Sequence, residues 1–88
     1  MRIIISTISH NHYEMIAKLN SLAQLAENED VTVICRDNTG DARLREYCSA
    51  HEIIYIENRY SCGYAVNNNL NFVYYREHLE PQDDDYFV

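Results

Sequence analysis

Three short β-branched runs, each followed by a polar loop and then by a segment of helical periodicity, restrict this chain more than any other feature. The first, Arg2 to Ile8, holds Ile3, Ile4, Ile5 and Ile8; the second, Val31 to Cys35, reads Val-Thr-Val-Ile-Cys; the third runs from Ile53 to Ile56. Such runs suit strands covered on both faces, the condition inside a parallel sheet. Parallel neighbours need a crossover, and the intervening segments supply one in each case. The expected architecture is therefore α/β, an open parallel sheet of Rossmann-like type with Arg2 to Ile8 as its central strand and the order 3-2-1-4.

The crossovers read as helices. After the first run, Ser9 or Asn11 can cap a helix reaching about Ala26, with Ile16, Leu19, Leu22, Ala23 and Ala26 at three- and four-residue spacing. Leu44, Tyr47 and Cys48 mark a shorter helix, with Asp41 as its cap. A third helix runs from about Tyr64 to His78, with Ala65, Asn69, Phe72 and Val73 along one face and Val66 and Leu70 beside it. Pro81 blocks its continuation. Asp83-Asp84-Asp85 then reads as a solvated acidic turn, and Tyr86-Phe87-Val88 as the opening of a fourth strand at which the chain is cut off. The whole is expected to be one domain, residues 1–88.

With seven basic against fourteen acidic residues, the net charge of -7 argues against a nucleic-acid partner, whose phosphate backbone calls for a basic surface. A single nucleotide remains compatible, because helix N-termini and a metal handle a diphosphate without one. Cys35, Cys48 and Cys62 are odd in number and form no C-x-x-C pair, which fits reduced thiols in a cytoplasmic protein. No apolar run approaches the roughly 18–20 residues of a membrane span.

In open parallel sheets ligands sit at the carboxyl ends of the strands. Here those ends are the loops Ser9 to His12, Arg36 to Asp41 and Asn58 to Gly63, all polar. The last of them carries one of only two glycines and leads into Asn67-Asn68-Asn69, amides that suit internal hydrogen bonding or ligand contact. One of the three is expected to be buried and bonded to neighbouring loops, and Asn69 can serve either role. Asp37 can form an Asx-turn with its own loop or contact a ligand. His10 and His12 lack further ligands for a metal site. Cys62, beside Gly63 near a helix N-terminus, has no histidine placed to make it a nucleophile. Tyr74 and Tyr75 are expected to cover core or meet a partner.

Ile8-Ser9-His10-Asn11-His12 resembles an apolar-Ser-Tyr-Asn-Arg strand exit, and Val33 to Asp41 an apolar strand followed by Asp-Asn-Gly-Ser-x-Asp. Gly63-Tyr64-Ala65-Val66-Asn67-Asn68-Asn69 is similar to Gly-Phe-Ala-x-Gly-Asn-Asn. In this order the three motifs resemble the N-terminal part of the inverting family-2 glycosyltransferases of the GT-A fold, particularly the rhamnosyltransferase-like members. The chain departs from the pattern with Ser61 in place of asparagine and with Asn67 and Asn71 in place of glycine.

The resemblance implies a half-domain that binds a nucleotide-sugar of UDP, dTDP or GDP type. Its candidate nucleotide-binding residues are Ser9, His10, Asn11, Asp37, Asn38, Gly63 and Asn69, with Asp37 on the base and the segment from Ile8 to Asn11 along base and ribose. The family's Asp-x-Asp motif, which binds Mg or Mn, follows the fourth strand, and its catalytic base lies further on, so no complete metal site or catalytic residue is expected in these 88 residues. Isolated, they are expected not to catalyse transfer. The alternative is a non-catalytic relative that self-associates as a homodimer through the edge of the fourth strand.

Overall fold

The computed structural model describes residues 1–88. Its elements, in chain order, are β1 (Ile3–Ser9), α1 (Tyr13–Leu19), α2 (Ser21–Ala26), β2 (Val31–Asp37), α3 (Ala42–Ala50), β3 (Ile54–Glu57), α4 (Tyr64–His78) and β4 (Tyr86–Phe87). The four strands form one sheet in the order β3-β2-β1-β4, parallel throughout, as the alternation of strands and crossovers implies. No helix is long and apolar enough to cross a membrane.

Two small cores flank the sheet. On one face Val33, Cys35, Leu44, Cys48 and Ile53 are buried together, with Tyr13, Ile16, Leu22 and Ala26 packed around them. On the other, Ile4 and Ile34 lie under Tyr75, with Ile54, Ile56 and Phe87 at the margin. Only 14 of 88 residues are buried, and five of those are polar or charged, so a large share of the fold rests on hydrogen bonds instead of apolar area.

Three expectations are corrected. The helix proposed to reach Ala26 is two helices, because Asn20 adopts a left-handed conformation (φ 58°) between them, and its side chain accepts from the Tyr47 hydroxyl of α3. Leu19 thereby falls out of the apolar stripe and is exposed. Neither Ser9 nor Asn11 caps α1: the cap position is His12, without a side-chain bond, while Ser9 Oγ accepts from the His12 N–H at 3.2 Å. Asp41 does cap α3, accepting from the Arg43 N–H at 2.9 Å.

The second correction concerns α4. Its buried residues are Asn67, Asn71 and Tyr75, spaced i, i+4, i+8, whereas Val66, Leu70, Phe72 and Val73 are 38–51% exposed. The reason lies in the residues beneath, which are Ile4 and Ile34 at one end and Ser6, Arg36 and the loop residues Asn38 and Asn58 at the other. A helix over that surface must present amides where the sheet presents polar groups.

The third concerns one residue of the acidic turn, in which Asp83 and Asp84 are exposed as expected. The Asp85 side chain is 3% exposed, paired with Arg2 at 2.8 Å, and it also accepts from the Tyr75 hydroxyl at 2.7 Å and the Gln82 N–H at 3.0 Å. It is the tie that brings β4 alongside β1, and Arg2 extends the tie to the Leu79 carbonyl at the end of α4.

Candidate functional site

Parallel register aligns the strand exits. Ser9 stands opposite Asp37, and Asp37 opposite Glu57, so the loops after β1, β2 and β3 emerge at one edge. Two backbone bonds carry the pairing one residue further, from Asn38 N–H to the Ser9 carbonyl (2.8 Å) and from Asn58 N–H to the Asp37 carbonyl (2.9 Å).

Asp37, fully buried, accepts four hydrogen bonds: from the Thr39 N–H (2.9 Å), the Thr39 hydroxyl (3.0 Å), the Asp41 N–H (2.8 Å) and the Tyr55 hydroxyl (2.8 Å). A carboxylate offers about four lone-pair sites, and these donors fill them. Burial alone pushes the Asp37 carboxyl up, but the bonds from Thr39, Tyr55 and Asp41 together outweigh it and hold the group below its usual value. Tyr55 is pushed the other way, well above a free phenol, first by burial and then by its bond to Asp37. Of the two roles open to Asp37, the Asx-turn is the one its geometry displays. Gly40 follows in this loop at φ 69°, where a side chain is strained and a Cβ would lie 3.0 Å from the Glu57 carboxylate.

On the opposite face of the sheet an amide network joins α4 to the strand ends. Arg36, only 8% exposed, donates through Nε to Asn71 Oδ1 (2.7 Å) and through Nη1 to Asn58 Oδ1 (2.8 Å), and it has no carboxylate partner. Burial holds its guanidinium below the ordinary value. Asn71 Nδ2 in turn donates to Ser6 Oγ (2.8 Å), and Ser6 donates to Asn68 Oδ1 (2.8 Å). Asn58 Nδ2 donates to Asn38 Oδ1 (2.7 Å) and to Asn67 Oδ1 (2.6 Å). Asn38 grips the Cys62 peptide twice, accepting its N–H at 3.0 Å and donating to its carbonyl at 2.9 Å, while Asn67 Nδ2 donates to that same carbonyl at 3.1 Å.

This network forms one wall of a cavity of about 350 Å³ at the carboxyl ends of β1 and β2, lined by Ile8, His10, His12, Asn38, Ser61, Cys62, Tyr64 and Asn67. A larger concavity of about 500 Å³ lies between α3 and the outer strand β3, at Arg45, Ser49, Ile53, Tyr55 and Glu57, away from the β1–α1 and β3–α4 loops. The cavity at the strand ends adjoins the N-terminus of α4, whose cap, Gly63, has no side chain to satisfy the first N–H groups. Gly63 is at φ -72° and a Cβ there would meet nothing within 4 Å, so neither backbone nor packing requires glycine.

Of the residues singled out from sequence, His10 and Asn38 line this cavity and Gly63 lies within its wall loop. Ser9 is buried and bonded to the following turn. Asn11, at φ 64°, opens onto a separate concavity with Tyr13 and Arg43. Asn69 sits on the exposed side of α4, and the buried amides are Asn67 and Asn71. His12, Ser61, Cys62 and Tyr64 are cavity residues that the sequence reading did not single out as ligand contacts, and of the three consecutive asparagines Asn67 is the one at the cavity. For Asn67 the signal was its spacing from Asn71 and Tyr75, and for Tyr64 an aromatic placed directly after Gly63.

The residues present do not fit a divalent cation. No group of three or more His, Cys, Asp or Glu side chains comes together anywhere in the chain, Asp85 is committed to Arg2, and Asp84 pairs with the amino terminus at 3.2 Å.

No family model matches the chain, and no solved structure does. Among curated proteins it is similar to the rhamnosyltransferase WbbL of Escherichia coli (strain K12), with 32% identity over 87 residues. The match takes in 98% of this chain but 32% of the relative, so the chain spans about a third of the length of the protein it matches. The resemblance to rhamnosyltransferase-like, family-2 glycosyltransferases drawn from the three strand-exit motifs is thereby borne out.

Proposed function

We propose that this chain, related along its length to a rhamnosyltransferase, is a nucleotide-binding domain that holds the nucleoside diphosphate part of an activated sugar. The observation that carries the reading is the cavity at the carboxyl ends of β1 and β2, which adjoins a helix N-terminus left without a side-chain cap. Donor N–H groups there suit an anionic ligand, and the surrounding rings and hydroxyls suit the rest of a nucleotide.

His10, Asn38 and Gly63 border the ligand in this reading, with Ser9 and Asp37 shaping the loops behind them. Asn11 and Asn69, which face away, contribute nothing direct. Displacement of the diphosphate by an acceptor hydroxyl requires a base and a charge-stabilising cation. No Asp or Glu lines the cavity, so the 88 residues alone bind the donor without transferring the sugar. In this reading Mg or Mn serves the transfer step and not donor binding by these residues, and the protein is cytoplasmic. Calorimetric titration of UDP, dTDP and GDP, each with and without Mn²⁺ or Mg²⁺, tests this. Saturable binding of one of them without metal is expected, and absence of binding by all three overturns the reading.

A second reading, a homodimer, is favoured by one observation. Tyr86 and Val88 exchange backbone bonds with β1, which turns the peptide groups of Phe87 outward at a free sheet edge. From Tyr64 to Tyr75, moreover, α4 carries no charge that would repel a second copy of a chain with net charge -7. Sedimentation velocity across a concentration series decides this, and a monomer at every concentration rules it out.

A further inference from the structure

We propose that Tyr64 is the stacking platform of this cavity, the ring against which the planar base of a nucleotide lies; the inference rests on the nucleotide-binding reading above. Tyr64 is the first residue of α4 and is 75% exposed, and it makes no ring contact with any aromatic side chain of the chain. It lines the cavity from the start of α4, with Ser61 and Cys62 of the β3–α4 loop beside it, while Ile8 at the end of β1 and His10 and His12 of the β1–α1 loop line the other side.

The polar groups around the cavity divide into two kinds. The side chains of Asn38 and Asn67 are spent on Cys62, Asn58 and each other, so they build the wall and leave little for a ligand. The tips of His12, Ser61 and Tyr64 remain available, as does the Nε2 edge of the His10 ring, whose Nδ1 faces Asn38 Nδ2 at 3.4 Å. His12 accepts the His10 N–H on Nδ1 (2.8 Å), which puts the ring hydrogen on Nε2. The available set thus includes a fixed donor, the His10 ring edge and two hydroxyls that donate or accept, beside an uncovered aromatic face. That combination matches a flat heterocycle with donors and acceptors on its rim and a π-face above and below. A phosphate offers no such face, and a sugar presents C–H groups there in place of a π-system.

The test compares Tyr64→Ala, Tyr64→Phe and Tyr60→Ala, using UDP, dTDP, GDP and ribose 5-phosphate as probes. Tyr60 is equally exposed, at 75%, but lies outside the cavity lining and serves as the control. Loss of a base–aromatic stack is worth on the order of a tenfold change in affinity. Expected results are a roughly tenfold weaker nucleotide for Tyr64→Ala, about twofold at most for Tyr64→Phe, and no change for Tyr60→Ala. Any binding of ribose 5-phosphate stays independent of residue 64. With no tryptophan in the chain, quenching of tyrosine emission on nucleotide binding should be reduced in Tyr64→Ala. If no nucleotide binds the unaltered chain, the nucleotide reading itself fails. If a nucleotide binds and Tyr64→Ala binds it as tightly, or Tyr64→Phe is as weak as Tyr64→Ala, the stacking role alone is overturned.

Discussion

Replacing Asn71 with leucine removes the acceptor that holds a buried cation. Asn71 is fully buried, takes Arg36 Nε at 2.7 Å, and donates to Ser6 Oγ at 2.8 Å and the Thr7 carbonyl at 3.3 Å. A hydrogen bond to a charged group contributes about 1.5–3 kcal/mol, and a buried donor left without a partner costs about 1–3 kcal/mol. Leucine recovers part of this by burying apolar surface, which leaves a net loss of about 3 kcal/mol. Against a total of roughly 4–13 kcal/mol for a chain of this size, the effect is large. Urea unfolding followed by circular dichroism should show the midpoint falling by about 2 M for a slope near 1.5 kcal/mol/M. The decisive arm is the double variant Arg36→Met with Asn71→Leu. Removing the cation together with its acceptor takes away the burial penalty as well as the bond, so the double variant should lie within about 1 kcal/mol of the parent. The coupling energy of the cycle should then be about 2 kcal/mol or more. An Asn71→Leu loss below about 1 kcal/mol, or a double variant equal to the sum of its singles, refutes the claim that Arg36 is held in the fold by these amides.

Further substitutions read other parts of the same design. The Asp85 carboxyl is held well below its usual range, first by Arg2 and then by the Gln82 N–H and the Tyr75 hydroxyl. Because its folded pKa lies below the unfolded value of about 3.9, the unfolded chain binds more protons in acid, so stability is present above about pH 4 and is lost as pH falls further. A pH series of thermal midpoints should show that acid limb, and Asp85→Asn should flatten it. Gly63→Ser should leave stability unchanged or raise it by roughly a few tenths of a kcal/mol, since serine is a better helix cap and the added atom has open space. The same substitution should weaken nucleotide binding if the bare cap faces the ligand, and unchanged affinity would count against that placement. Asp37→Asn puts an amide where four donors converge, and should cost roughly 2–4 kcal/mol in urea unfolding; a loss under about 1 kcal/mol contradicts the filled-acceptor geometry.

The strand framework was legible because β-branched runs and crossover lengths admit few arrangements. Ile3 to Ile8 took the centre of the sheet, Val31 to Cys35 paired beside it, and the order β3-β2-β1-β4 followed. What periodicity could not supply was the orientation of α4. Its apolar residues suggested a face through Phe72 and Val73, yet the side chains of Ser6, Arg36 and Asn38 beneath it select Asn67 and Asn71. That selection can be read only after the strands are paired, when the alternation Ile4-Ser6-Ile8 and Ile34-Arg36-Asn38 places three polar groups on one face. The break at Asn20 was hidden for a similar reason, because the Tyr47 hydroxyl that holds its side chain comes from 27 residues away. The cavity was legible as a set of converging loops and less so as individual contacts. Asp37 looked available from its position at a strand end, whereas Thr39, Asp41 and Tyr55 consume it.

The division of α4 into two halves gives the site its physical logic. Toward its C-terminus, Tyr75 packs on Ile4 and Ile34 and is pinned by Asp85, so that end gains from burial and from an ion-paired tie. Toward its N-terminus the contacts are amide to amide, which contribute little net stability but fix direction, since each donor and acceptor is satisfied in one arrangement. Asn38 and Asn67 use that directionality on the Cys62 peptide, and through it set Ser61 and Tyr64 against the cavity. An apolar contact at position 67 would stabilise the helix equally well and leave the loop free to slide. The polar core is thus placed where position matters more than stability, beside the residues that meet a ligand.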